Sequence, residues 1–68
     1  MKEITIKDEF INLGQFLKII DLVSSGGETK IFLAENTILV NENIENRRGK
    51  KLYRGDIITV LGEKYIIC

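Results

Sequence analysis

The residues of this sequence best suited to chemistry are Arg47, Arg48, Lys50, Lys51 and Arg54: five cations within eight positions, with Gly49 among them and no acid between. Such a cluster can neutralise phosphates and release their counterions. A glycine lets an anion approach the backbone closely, and arginine can fork onto a phosphate or stack on an unpaired base. The chain is neutral overall, with ten Lys and Arg against ten Asp and Glu. Residues 1–46 hold four lysines against eight acids, a net of −4, while residues 47–68 hold six cations against two acids, a net of +4. Positive charge concentrated in this way is the electrostatic footprint of a polyanion-binding surface. The competing reading is a solvated loop whose charges keep a sheet edge from pairing with another chain. On composition alone the two stand nearly level.

A second group of candidates lies earlier. Lys30 falls on the exposed side of a predicted second helix. Ser25 and Thr29 stand at that helix's start, where backbone N–H groups favour an anion. Taken alone, they read more simply as a cap and an ordinary surface lysine. Tyr53 beside the basic segment could stack on a base, although a half-buried tyrosine with its hydroxyl in water is the commoner case. Phe10, Phe16 and Phe32 read as core.

Catalysis lacks its usual parts. The chain has no histidine and one cysteine, Cys68, so neither a base poised near neutral pH nor a His-activated thiol is available. No Cys/His cluster suits zinc, and no acidic spacing suits calcium. Neither Gly26-Gly27 nor Leu13-Gly14-Gln15 fits a nucleotide-binding glycine pattern. A non-enzyme without metal, cofactor or small-molecule substrate is expected. No apolar run reaches the roughly 18 residues of a membrane span, and Met1 to Ile6 lacks the apolar stretch of a signal peptide. The expectation is one domain over residues 1–68, monomeric and cytoplasmic, with no membrane partner.

The elements that must position these residues can be read from periodicity. Lys2 to Lys7 alternates with Ile4 and Ile6 on one face, as in a half-buried strand. Asn12 reads as an N-cap with Gln15 returning the bond, and Ile11 and Phe16 suit a hydrophobic staple. Leu13, Phe16, Leu17, Ile20 and Val23 form a helical stripe, which Gly26-Gly27 should end. A second helix over 28–35 follows, closed by Asn36 as a left-handed terminator. Strands are predicted at 37–40, 44–45, 57–61 and 64–67, with turns at 41–43, 53–56 and 62–63 and an exposed, mobile loop at 46–51. The fold class is α+β: two N-terminal helices packed on a small antiparallel sheet.

These pieces, in order, resemble the S4-type RNA-binding domain, in particular its short stand-alone YaaA-like members. Leu13-Gly14-Gln15-Phe16-Leu17-Lys18, Ser25-Gly26-Gly27, Lys30 with Phe32-Leu33, Val40-Asn41, Arg47 to Leu52 and Gly55-Asp56 carry the resemblance over about 55 residues. The resemblance implies the αL RNA-binding motif, with an RNA surface formed by the second helix and the loop after Val40-Asn41. It thereby adds Asn41 to the candidates and implies structured RNA as partner: ribosomal RNA first, transfer RNA second, with a ribosomal particle and a role in ribosome assembly or maintenance. The sequence departs from the wider family at Asn12 and Gly14, at Ser25-Gly26, and at Glu42, where many members have glycine. These departures weaken the helix half of the surface and shift weight onto residues 47–54. The alternative is a small protein–protein interaction module without direct RNA contact, motivated by the acidic first half and an open sheet edge.

Overall fold

The computed structural model describes residues 1–68. Two short strands come first, β1 (Lys2–Ile4) and β2 (Phe10–Asn12), then two helices, α1 (Leu13–Ile19) and α2 (Gly26–Glu35). Five strands complete the chain: β3 (Ile38–Val40), β4 (Asn43–Glu45), β5 (Lys51–Tyr53), β6 (Ile57–Val60) and β7 (Glu63–Ile67). The α+β class is as expected, but the helices follow two strands. The main sheet is mixed, in the order β1-β7-β6-β3-β4, because β1 runs parallel to β7 while the other pairs are antiparallel. β2 and β5 form a separate two-stranded ribbon.

Period-two burial holds the main sheet on its core. Ile38, Val40, Ile58, Val60, Tyr65 and Ile67 face inward and are almost fully buried. Against them lie Leu13, Phe16 and Leu17 of α1, with the Phe16 ring edge-on to Tyr65 at 5.3 Å. Ile11 and Leu52, on the inner face of the ribbon, belong to the same cluster. Two hairpins are closed by two-residue turns with both residues in the left-handed region. These are Asn41 and Glu42 (φ 51° and 70°), and Leu61 and Gly62 (φ 50° and 78°). Such turns match the right-handed twist of paired strands. The second lies one residue earlier than the sequence suggests.

The capping box predicted for α1 is present. Asn12 Oδ1 accepts from the Gln15 N–H at 2.8 Å, and Gln15 Oε1 accepts from the Asn12 N–H at 2.9 Å. The helix is shorter than its stripe. Asp21 takes φ 67°, its N–H donates to the Lys18 carbonyl, and the Leu22 N–H donates to the Leu17 carbonyl. This is a Schellman closure with aspartate where glycine is usual. Val23 is buried from the connecting segment, not from the helix. Gly26 and Gly27 therefore open α2 instead of ending α1, with Ser25 as N-cap. Asn36 ends α2 with extended backbone (φ −131°), both its backbone N–H and its side-chain amide donating to the Phe32 carbonyl. Of the three phenylalanines only Phe16 is fully buried, whereas Phe10 and Phe32 are half-buried. No helix is long and apolar enough to cross a membrane.

Candidate nucleic-acid interface

The basic segment does not hang free. The Lys50 carbonyl accepts from the Leu13 N–H at 2.9 Å and the Arg48 carbonyl from the Gly14 N–H at 2.9 Å. The first N–H groups of a helix have no partner within it. Here the basic loop supplies two of those partners and Asn12 a third. The loop packs closely there: a Cβ on Gly14 would be in van der Waals contact with the Arg48 carbonyl and the Thr29 methyl, each at 3.5 Å. A further bond from the Lys50 N–H to the Arg47 carbonyl, 3.1 Å, tightens the turn. The loop is seated on α1, contrary to the mobile loop expected from its composition.

That seating sends the cations to two sides. On one side, Arg48 turns toward α2, its Nη1 lying 3.9 Å from where a Cβ on Gly26 would stand. Arg48 lines a groove of about 530 Å³ with Lys30, Leu33, Ala34 and Asn46. It also lines a smaller one of about 260 Å³ that includes Gln15, Lys18, Gly26 and Gly49. On the other side, Lys50 and Lys51 line an open groove of about 520 Å³ with Arg47, Gly49 and Tyr53. None of these three grooves has an acidic side chain in its wall, but a fourth, of about 260 Å³, sets Lys50, Lys51 and Tyr53 beside Glu45 and Asp56. The acid in the first turn of α2, Glu28, is turned back onto Ser24. The Ser24 backbone N–H and hydroxyl donate to it and hold its carboxyl below the usual range.

Several candidates are committed within the chain. Arg47 is paired with Glu45: its Nε and Nη2 donate to the two carboxylate oxygens at 2.9 and 3.1 Å, and its backbone N–H donates as well. The Arg47 guanidinium holds the Glu45 carboxyl down at about 2. A compensating acid therefore sits beside the cluster, where the run 47–54 shows none. Glu45 is two residues before Arg47 at a strand end, a spacing that puts both side chains on one side of an extended chain. Thr29 is buried and its hydroxyl donates to the Ser25 carbonyl, and it lies at the floor of the groove that Lys18 and Arg48 line. The Asn41 amide donates to Asp56 Oδ1 and its oxygen accepts from the Ile57 N–H, so it braces the turn. Arg54 Nη2 donates to the Ile6 carbonyl at 2.7 Å. Ser25 caps α2, its Oγ accepting from the Glu28 N–H.

Two residues escaped the sequence reading. Lys18 is exposed and shares a groove with Arg48; its position opposite the Leu13–Phe16–Leu17 stripe could have flagged it. Phe10 lies against Tyr53, ring centroids 5.7 Å apart, with the Lys51 ammonium 4.8 Å from its own centroid. Three-residue strands such as β2 are too short to display a period, so Phe10 reads as core. No cluster of His, Cys, Asp or Glu in the chain could hold a metal ion.

Taken together, fold and site define a small α+β domain whose seated basic loop lies between two helices and a β-ribbon. The family to which the chain belongs is the S4 domain, whose profile matches residues 4–68. The chain is also 52% identical over 59 residues to the Probable ribosome maturation protein RlbA of Bacillus subtilis (strain 168), covering 87% of this chain and 83% of that protein.

Proposed function

We propose that this protein binds structured RNA, ribosomal RNA in the first place, and acts in ribosome maturation through phosphate contacts from Lys18, Lys30, Arg48, Lys50 and Lys51. One observation carries the reading: Lys18 of α1, Lys30 of α2 and Arg48 of the loop line two adjoining grooves whose walls hold no acid. Bringing Arg48 to the start of α2, the positive end of that helix's dipole, is unfavourable in isolation, and a phosphate between them relieves it. Cations without paired acids offer charge to a polyanion at little cost in broken ion pairs. Membership of the S4 domain and the name of the Bacillus relative support RNA and the ribosome as the setting. Arg47, Arg54, Asn41, Ser25 and Thr29 serve mainly to hold the surface in shape. The protein works as a monomer in the cytoplasm and is not an enzyme.

The test is retention of ribosomal RNA fragments across a salt titration. With about four phosphates engaged, log affinity falls against log salt with a slope near −3, at roughly 0.7–0.9 per phosphate. Replacing Lys30, Arg48, Lys50 and Lys51 together by alanine abolishes retention while the circular dichroism spectrum is unchanged. Salt-independent binding would sink the reading.

A second reading has its own observation. The outer face of the main sheet carries Leu39, Ile57 and Ile66, half-buried, and Ile44, 75% exposed. Apolar surface of this kind suits a protein partner. Association that survives nuclease treatment and is lost in Ile44→Lys would favour it.

A further inference from the structure

The ribbon of β2 and β5 has an outward face that phosphate binding does not explain. Its register sets Phe10 opposite Tyr53 and Asn12 opposite Lys51, with Ile11 and Leu52 turned to the core. Phe10 and Tyr53 are therefore cross-strand neighbours on the open face, their rings tilted 50° to one another. Tyr53 is 43% exposed. Beside its ring runs a groove formed with Arg47, Gly49, Lys50 and Lys51, while the acids Glu45 and Asp56 line a neighbouring groove and are engaged by Arg47 and by the Tyr53 N–H. Lys51 holds its ammonium over Phe10, at one edge of the aromatic pair.

From this arrangement we infer a subsite for an unpaired nucleotide, resting on the RNA-binding reading above: Tyr53, backed by Phe10, stacks the base, and Lys50 and Lys51 take the flanking phosphates. An aromatic face offers nothing to a phosphate, and a paired stem keeps its bases stacked on one another. An exposed ring beside lysines therefore selects single-stranded nucleotides, which can splay a base outward. The ribbon suits the task mechanically. Leu52 is fully buried one residue from Tyr53 and anchors the strand, while the Asp56 carboxylate accepts from the Tyr53 N–H at 2.8 Å. The platform is held rigid before any RNA arrives, so little conformational freedom is lost on binding. Arg48 and α2 line other grooves, which have only Gly49 in common with this one. One RNA could thus offer a paired segment to α2 and an unpaired one to the ribbon.

Two RNAs test this: a blunt hairpin, and a hairpin with the same number of phosphates whose single-stranded tail contains 2-aminopurine. Wild-type protein is expected to prefer the tailed RNA and to quench the 2-aminopurine on binding. Tyr53→Leu should lose about 5- to 150-fold on the tailed RNA, the range for one stacked base. It should bind the blunt hairpin as wild type does, and Tyr53→Phe should keep both affinity and quenching. Equal affinity of wild type for the two RNAs with no quenching overturns the subsite but leaves the RNA reading standing. So does an equal loss by Tyr53→Leu on both RNAs. If wild type binds neither RNA, both readings fall. The quenching is read on the wild-type protein and so does not depend on how the variant folds.

Discussion

Arg47 and Arg48 are adjacent in sequence and opposite in circumstance. Arg47 is forked onto Glu45, whose side chain is only 10% exposed. Arg48 has no acidic partner and reaches the start of α2. The same contrast separates the two sides of the loop. The α2 side is built by helix ends and backbone bonds, with Arg48 and Lys30 as free charges. The ribbon side is built by a short β-ladder, with Lys50, Lys51 and an aromatic pair. A run of like charges in a sequence is therefore not one binding element. Each cation's role is set by what the backbone beneath it is bonded to.

The largest effect that could break this comparison is on RNA affinity. Lys30→Ala with Arg48→Ala should weaken binding of paired RNA by about ten- to a hundredfold, the scale of one or two charge-assisted hydrogen bonds. Lys50→Ala with Lys51→Ala should instead fall hardest on RNA with an unpaired tail. Filter binding with the two hairpins reads both. If the two double variants lose affinity in the same proportion on both RNAs, the loop has one surface and the division is wrong.

The seat of the loop is the next point of attack. Asn12→Ala removes one half of the capping box and should cost about 1 kcal/mol, a fall of roughly 4–8 °C in Tm for a domain of this size. Because the same helix end carries the Arg48 and Lys50 carbonyls, the α2 side should lose RNA affinity beyond the loss of stability. Thermal unfolding and binding measured together separate the two effects.

Glu42 probes the fold away from the interface. It sits at φ 70°, where an L side chain is strained. Glu42→Gly should stabilise by about 1 kcal/mol in a urea titration and leave the contrast between the two sides of the loop intact.

What the sequence makes legible, and what it hides, follows from the range of the interactions. The capping box at Asn12 and Gln15, the stripe of α1 and the alternation in β6 and β7 are local, so they can be read directly. The Schellman closure at Asp21 is hidden because aspartate adopts the left-handed conformation less readily than glycine, and a glycine pair stands a few residues further on. Gly26-Gly27, the obvious stop, is instead the start of the next helix. The ribbon of β2 and β5 joins residues about forty apart through three-residue strands, which leaves no periodic trace and hides Phe10 beside Tyr53. The parallel pairing of β1 with β7 is hidden for the same reason. At the candidate interface the charge cluster is plain, but the partition of its cations depends on Glu45 taking Arg47 and on the Gly14 N–H holding the Arg48 carbonyl.

The finest test concerns Arg47 and is expected to move the numbers least. In the folded chain Arg47 holds the Glu45 carboxyl at about 2, against an ordinary value of 4.5. Between those values the unfolded chain binds more protons than the folded one. The contribution of Glu45 to stability is therefore full above about pH 4.5 and disappears as pH falls toward 2. Comparing urea midpoints of wild type and Glu45→Gln along pH should show a gap above pH 5 that closes on acidification. The gap is expected to be small, about 1 kcal/mol or less, since the arginine is exposed to solvent. At neutral pH the same substitution frees Arg47 beside Lys50 and Lys51. RNA binding should then become slightly tighter, and its salt slope steeper by about 0.7–0.9 if the released guanidinium meets one more phosphate. An unchanged slope would mean that Arg47 already contacts RNA while paired, and that the difference between the two arginines is one of stability rather than of binding.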